Sequence, residues 1–302
     1  MSAVLNFSHL KSNQARINES EVIFDLINSR NLNKPNPLVM VDARANSDES
    51  FETCLGSGWR VHAFEPDPER RKQLSEIHGE NSSLSVSPHA ISLSDGDLVA
   101  LSGSSGSNSV RTTRIDTYLR TRGIEEVDFL KIDNEGDGYF ALQTFPFEEL
   151  LPSAVLVGYD DLKTVPRGYS AHDIATFMAQ AGLNIWVSEW HPIARRATEP
   201  DWCRMVRYEI SLELSSSWGN LLGFREDVVD DAMADALALR LQFGAKTDNG
   251  VTSVARPKSR NNSMSVRVVK SFVRLVSKVS ERRASQLYRA FRGGYRKMKK
   301  IS

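Results

Sequence analysis

Short apolar runs alternate with segments of helical periodicity between residues 38 and 225, and this alternation constrains the fold more than any other feature of the chain. A short continuous apolar run is typical of a strand that is buried on both faces of a parallel sheet. Strands that alternate with helices predict a doubly wound α/β domain. We predict strands over residues 38–41, 61–64, 84–91, 99–101, 128–132, 154–157, 185–187 and 207–212, helices over 21–27, 69–77 and 170–181, and a loop over 102–109.

Acidic residues stand where several of these strands end. Asp42, Glu65 and Asp133 close three apolar runs, and Glu135 comes two residues after Asp133. Doubly wound sheets bind ligands at the carboxyl ends of their strands, so these carboxylates are candidate ligand contacts. Each acid alone is explained at least as well as a cap of the following helix. Acids at successive strand ends favour the functional interpretation.

The spacing between the first two acids indicates a nucleoside ligand. Glu65 lies 23 residues after Asp42. In dinucleotide-binding units the ribose-binding acid follows the first turn by about 20 residues. A carboxylate at this place accepts hydrogen bonds from both hydroxyls of a ribose, and we therefore predict that Glu65 binds a ribose.

Several segments, taken together in their order, resemble the FkbM family of methyltransferases. They are VDARAN, HAFEPDPE, RIDTYL, DFLKIDNEG, GYSAHDIATFMAQAGLNIWVSEWHPI and WGNLLGFRED, which span roughly residues 38 to 225. The resemblance implies a Rossmann-like class I fold with a sheet of about seven strands. It also implies S-adenosylmethionine as cofactor and O-methylation of hydroxyls on natural products and sugars.

Matching positions imply two groups of site residues. The positions that match the family's cofactor site are Asp42, Ala45, Asn46, Glu65, Asp67, His89 and Ala90. The candidate catalytic residues, which would bind the acceptor or take its proton, are Asp133, Glu135 and His191. A lone histidine such as His191 is more often a structural hydrogen-bonding group. Trp186, Trp190 and Trp202 are candidates to line a pocket for a sugar or ring, or to pack the edge of the domain.

The first family motif departs from its pattern at two glycines, which are Arg44 and Asp48 in this chain. Glycine at such positions allows the backbone to approach a ligand closely. Arg44 can point to solvent, pair with a substrate carboxylate, or fill the cofactor's place. Two alternatives to an active methyltransferase follow: a degenerate relative that acts as an interaction module without cofactor, and a different nucleoside-binding enzyme of the same architecture.

Charge divides the chain into an acidic body and a basic tail. From Arg256 onward there are 15 Lys and Arg and one acid, which gives +14, so the preceding residues carry −14 of a net charge of zero. We predict a helical extension over 1–37, the α/β domain over 38–225, a helix and linker over 226–265, and a basic amphipathic tail over 266–302. Such a tail can dock on an anionic membrane surface or pack on the acidic body. No nucleic-acid-binding motif supports a nucleic acid partner.

The remaining signals concern location and metals. Two distant cysteines, Cys54 and Cys203, make no disulfide framework, which favours a reducing compartment. No signal peptide and no membrane-spanning run are predicted, so we expect a cytoplasmic protein that is at most peripheral at a membrane. The adjacent Asp160 and Asp161 diverge in an extended chain, and no metal site is predicted.

Overall fold

The computed structural model describes residues 19–31, 34–45, 50–79, 81–101, 109–133, 137–190, 202–214 and 218–229. Their contacts define one compact unit over Ile23–Val228. A second unit comprises residues 8–22 and 229–302, of which only 19–22 and 229 are described. The predicted tail, and all but the first residues of the predicted helix and linker, therefore lie outside the described ranges.

Helices and strands alternate along the α/β unit, as the apolar runs predict. In chain order the elements are α1 (Glu19–Arg30), β1 (Val39–Asp42), α2 (Ser50–Gly56), β2 (Arg60–Phe64), α3 (Pro68–His78), β3 (Leu84–Ser87), β4 (Ala90–Ile91), β5 (Leu98–Ala100), β6 (Ser109–Thr113), α4 (Ile115–Arg122), β7 (Phe129–Ile132), α5 (Gly138–Leu142), β8 (Ala154–Asp160), α6 (Asp161–Thr164), a 3₁₀ turn (Val165–Arg167), α7 (Ala171–Gln180), β9 (Asn184–Trp190), β10 (Trp202–Arg207) and β11 (Trp218–Phe224).

The central sheet has the order β10-β9-β11-β8-β7-β1-β2-β3. Strands β3, β2, β1, β7 and β8 are parallel, whereas β11 runs antiparallel to both of its neighbours and β10 runs antiparallel to β9. The α/β class is confirmed, and the described sheet has eight strands where the resemblance implied about seven. Chain order reverses between β1 and β7, which is the topological switch point where such sheets bind ligands.

The predicted strand over residues 84–91 is wrong in extent. The run 84–91 is divided at Pro88, which lacks an N–H for a ladder hydrogen bond. As a result β3 stays in the central sheet while β4 pairs with β6 in a separate three-stranded sheet that also contains β5. Ser109 begins β6 and therefore does not belong to the predicted loop, whose residues 102–108 are not described.

The predicted strand 207–212 is also wrong, because β10 ends at Arg207 and the chain then turns, with the N–H of Leu212 donating to the carbonyl of Glu209. The sheet is completed instead by β11, which inserts between β8 and β9. Its segment WGNLLGF contains two glycines, which weaken a strand signal in sequence.

Helices cover both faces of the sheet. Side chains from α4, α5 and α7 pack on one face against Val41, Leu130, Val155 and other strand residues. On the other face α2 packs on β1 and β2, with the buried Cys54 beside Asp42 and Lys131. The residues of α1 from Ile23 onward belong to the same unit, and Phe24 packs on Trp59 with ring centroids 5.3 Å apart. Packing on both faces therefore holds the strands of the sheet in place.

The close approach of β11 to its neighbours generates a stability prediction. A Cβ at Gly219 would collide with the carbonyl oxygen of Ser188 and lie 3.0 Å from Oη of Tyr159. We expect Gly219→Ala to lower the free energy of unfolding by about 2 kcal/mol, because backbone atoms must shift to admit the methyl group. Urea denaturation measures this change.

Gly138→Ala is the matched control. Its Cβ would lie 3.6 Å from Ile132 and Val157, an ordinary van der Waals distance, and alanine favours the helix that it joins. Equal losses of stability in the two variants would contradict the proposed clash at Gly219.

Candidate functional site

Four acidic residues lie at the carboxyl ends of the parallel strands around the switch point. Asp42 ends β1, Glu65 follows β2, Asp133 follows β7 and Asp160 ends β8. The predicted strand ends are thus brought to one edge of the sheet. These acids differ widely in exposure and in their hydrogen-bond partners, and this difference separates their roles.

Glu65 has an unused hydrogen-bonding atom. Its residue is 2% exposed, and Oε1 accepts the N–H of Asp67 at 2.9 Å. Oε2 is buried and has no hydrogen-bond partner within the described part of the chain. Burial raises the pKa of Glu65, although the Asp67 N–H and the cations Arg70 and Arg44 act in the opposite direction. A buried acceptor without a donor is costly, so this oxygen is suited to a hydroxyl group of a ligand.

Asp67 caps the helix that follows Glu65. Its Oδ1 accepts the N–H groups of Glu69 at 2.8 Å and Arg70 at 3.2 Å at the start of α3. The guanidinium of Arg71 donates to the carbonyls of Glu65 and Pro66. Asp67 therefore fixes the turn beside Glu65, while its predicted contact with the cofactor stays a prediction.

Asp42 is fully buried and pairs with a lysine on the neighbouring strand. Its Oδ2 lies 3.5 Å from Nζ of Lys131, which is 3% exposed, and the two residues are register partners in β1 and β7. Oδ1 accepts the N–H of Arg44 at 3.1 Å. Burial and the charge of Asp42 raise the pKa of the adjacent Cys54 to about 12, so this thiol is neutral. Asp42 thus holds the turn that follows β1 by accepting the N–H of Arg44.

Three backbone hydrogen bonds hold the start of that turn. The N–H of Ala43 donates to the carbonyl of Lys131 at 2.8 Å, that of Arg44 to Asp42, and that of Ala45 to the carbonyl of Phe64 at 3.0 Å. Ala45 is buried, whereas the side chain of Arg44 is half-buried. Asn46 and Asp48, which the sequence analysis placed in the same turn, lie outside the described residues.

Asp133 is exposed at the end of β7 and lies over a glycine of the next strand. A Cβ on Gly158 would be 3.1 Å from Oδ1 of Asp133 and 3.7 Å from Oδ1 of Asn220. The missing side chain at Gly158 therefore leaves room for a carboxylate and an amide from two other strands. This arrangement can hold a polar acceptor group beside a carboxylate.

Two of the other predicted site residues follow β3, whose last residue, Ser87, accepts the N–H of Glu65 at 3.0 Å, and two are not described. His89 is half-buried, with Nδ1 3.1 Å from Oγ of Ser87, and Ala90 pairs with Thr112 in the small sheet. Glu135 and His191 lie outside the described residues. No group of three or more potential metal ligands occurs among the residues that were searched.

Three residues of this region were not predicted from the sequence as site residues. Lys131 carried a signal, because a lysine inside a buried apolar run requires a partner. Asn220 carried none, since its strand was not predicted. Tyr159 is buried, and its Oη has no hydrogen-bond partner in the described ranges. Burial, with the charges of Glu189 and Asp161, raises the pKa of Tyr159, so the phenol is protonated at neutral pH.

The buried ion pair leads to a prediction of stability. Lys131→Met leaves Asp42 charged and without its cation, and we expect it to lower the free energy of unfolding by about 3 kcal/mol. Adding Asp42→Asn to Lys131→Met should restore part of this loss, because the uncompensated charge is then removed. Thermal and urea unfolding of the single and double variants measure both effects.

Lys72→Met, which removes an exposed helical pair with Glu76, is the control and should cost about 0.5 kcal/mol or less. A Lys131→Met variant as stable as this control would show that Lys131 is not required to neutralise Asp42.

Comparisons with known proteins bear on this site. No match was found among curated proteins. Among solved structures, the chain is similar to precorrin-6Y C5,15-methyltransferase from Geobacter metallireducens, with 10% identity, 73% of this chain and 96% of that chain covered, and a TM-score of 0.38. The SAM-bound magnesium protoporphyrin IX methyltransferase from Synechocystis gives 10% identity, 69% and 78% coverage, and a TM-score of 0.36. At such scores these likenesses carry no argument about this chain.

A family model described as the methyltransferase FkbM domain matches residues 42–184. The match begins at Asp42 and includes Glu65, Lys131 and Asp133, which are the residues that the structure brings to the switch point. Residues 42–184 of this chain are therefore similar to the methyltransferase domain of the FkbM family.

Proposed function

We propose that this protein transfers the methyl group of S-adenosylmethionine to a hydroxyl group of a sugar, a glycan or a lipid-linked acceptor. The buried Oε2 of Glu65, which has no hydrogen-bond partner among the described residues, carries the cofactor part of the proposal. When bound, the cofactor supplies an electrophilic methyl group on a sulfonium. The residues of the chain bind the cofactor, align the acceptor and accept the acceptor's proton.

The residues around the switch point fit this cofactor. Glu65 would hold the ribose through Oε2, since Oε1 is already engaged by the N–H of Asp67. The turn of Ala43, Arg44 and Ala45 would border the portion of the cofactor that extends from the ribose, because this is what the first βα turn of such folds contacts. Its anchoring to β2 and β7 prepares the site before binding.

Asp133 is the described residue best suited to take a proton from a hydroxyl. It is exposed at the end of β7, and Asn220 lies on the far side of Gly158. The amide of Asn220 would orient the hydroxyl, and the carboxylate of Asp133 would accept its proton as the new C–O bond forms. Glu135 and His191 stay predictions for the same task.

Tryptophans beside this position support an acceptor that presents a ring. Trp218 pairs with Asp160 in the register of β11 and β8, and its ring centroid lies 5.8 Å from that of Trp190. Trp202 pairs with Trp190 and donates a hydrogen bond from Nε1 to Ser188. By contrast, Trp186 packs against Phe224. Flat aromatic side chains with polar neighbours are typical of sites for amphipathic rings.

A lipid-linked acceptor agrees with the charge of the C-terminal residues. The +14 of residues 256–302 would attract an anionic membrane surface, to which each cation contributes about 1 kcal/mol. Among the described helices, none has the length and apolarity needed to cross a membrane. Contact of residues 266–302 with such a surface is part of the proposal.

The first test is titration calorimetry with S-adenosylhomocysteine. We expect wild-type binding in the micromolar range, and a loss of affinity of about 10-fold or more in Glu65→Ala, because hydrogen bonds to a charged group are removed. Glu76→Ala, at an exposed position of the adjacent helix α3, is the control and should bind as the wild type does.

Absence of wild-type binding at millimolar ligand would refute the cofactor site and support the interaction-module alternative. Binding of nucleotides without binding of S-adenosylhomocysteine would instead favour a different nucleoside-binding enzyme.

The second test identifies the product. With S-adenosylmethionine labelled in its methyl group, and with glycan and lipid fractions as acceptors, the label should appear in a product that resists mild alkali, as a methyl ether does and a methyl ester does not. Asp133→Asn should lower kcat by about 100-fold without changing the affinity for S-adenosylhomocysteine. The exposed Glu148→Gln is the control. An alkali-labile product would rule out O-methylation of a hydroxyl.

A further inference from the structure

Arg44 contributes a cation to the site that the proposed function does not use. It lies in the first βα turn, where its N–H binds Asp42 and the flanking residues Ala43 and Ala45 are hydrogen-bonded to β7 and β2. Its side chain is half-buried, and its guanidinium has no hydrogen bond or ion pair with the residues that the structure describes. A cation whose backbone is held in place, and whose guanidinium donors have no partner among the described residues, is suited to bind an anion.

The surroundings of Arg44 separate it from a surface arginine. The N–H of Ala45, the residue after Arg44, donates to the carbonyl of Phe64, the residue before Glu65, at 3.0 Å, so the turn of Arg44 lies beside Glu65. No hydrogen bond joins the two side chains, and Oε2 of Glu65 has no partner in the part of the chain that the structure describes. Both groups are therefore available to one ligand: Glu65 accepts hydrogen bonds, and Arg44 donates them.

We propose that Arg44 binds the carboxylate of the amino-acid portion of S-adenosylmethionine, and this inference rests on the proposed function. In doubly wound folds the ribose lies on the acid after the second strand, and the group attached to the ribose faces the first βα turn. In S-adenosylmethionine that group ends in an α-carboxylate. A guanidinium matches a carboxylate with two parallel N–H···O hydrogen bonds.

This role accounts for the arginine at a position where the family motif has glycine. A glycine there lets the backbone approach the ligand, which a side chain would obstruct. Arg44 instead reaches the ligand with its guanidinium while its backbone is held on Asp42. The chain thus replaces a backbone contact with a charged side-chain contact to the same portion of the cofactor.

The test compares two ligands that differ in that portion alone. S-adenosylhomocysteine carries the amino acid, whereas 5′-methylthioadenosine has the adenosine and the thioether without it. Both are titrated by calorimetry into the full chain and into Arg44→Met, Arg44→Lys and Arg70→Met. The exposed Arg70 is the matched control, because its charge also lowers the pKa of Glu65 although it lies on α3.

We expect Arg44→Met to weaken S-adenosylhomocysteine by about 10-fold to 100-fold and to change 5′-methylthioadenosine by about 3-fold or less, since a charge-assisted pair is lost with the first ligand alone. Arg44→Lys should recover part of the affinity, because it keeps the charge and loses the fork of donors. Arg70→Met should affect both ligands equally and weakly.

Equal effects of Arg44→Met on the two ligands, or no effect on either, would overturn the role of Arg44 while leaving the proposed function intact. Tighter binding of S-adenosylhomocysteine to Arg44→Met would also overturn it, because Arg44 would then occupy the cofactor's place. Failure of the wild type to bind either ligand would overturn the proposed function, and the inference with it.

Discussion

The buried ion pair between Asp42 and Lys131 joins β1 to β7, where the chain order of the parallel strands reverses. Desolvation of two charges costs several kcal/mol, so such a pair is not an efficient way to stabilise a fold. Its effect here is positional. Asp42 binds the N–H of Arg44, and the carbonyl of Lys131 binds the N–H of Ala43. The turn that is proposed to border the cofactor thus begins from a backbone held on both strands.

In the proposed reaction, the two halves of the sheet would serve different parts of the site. The parallel half carries Glu65 at the end of β2 and the first turn at the end of β1, which suit a nucleoside with an amino-acid tail. The mixed half carries Asn220 and the Trp190–Trp218 pair, because β11 enters antiparallel between β8 and β9. Asp133 lies between the halves. The glycine at position 219 allows β11 to pack closely between β8 and β9. The glycine at position 158 leaves room for the carboxylate of Asp133.

Two buried carboxylates in this region have a cation as a partner. Asp42 has Lys131, and Glu189 has Arg204 as a buried ion-pair partner on the neighbouring strand. Within the described residues, Oε2 of Glu65 has no hydrogen-bond donor and the guanidinium of Arg44 has no acceptor. Tyr159 keeps its proton at neutral pH because burial and nearby carboxylates raise its pKa, so it is available as a hydrogen-bond donor. The proposed ligand offers hydroxyl groups to Glu65 and a carboxylate to Arg44.

The α/β class, the apolar strands at the centre of the sheet and the acids at their ends could be predicted from the amino-acid sequence. The reason is that an apolar run and a polar residue at its end are local patterns. The sequence also carried the family motifs. It did not predict that the apolar run 84–91 is divided at Pro88 and contributes strands to two sheets. It also did not predict β11, whose glycines weaken its local signal. The pairing of Asp42 with Lys131, and the meeting of Asp133 and Asn220 over Gly158, were decided by tertiary structure alone. These partners are distant in the chain, and only the register of neighbouring strands brings them together.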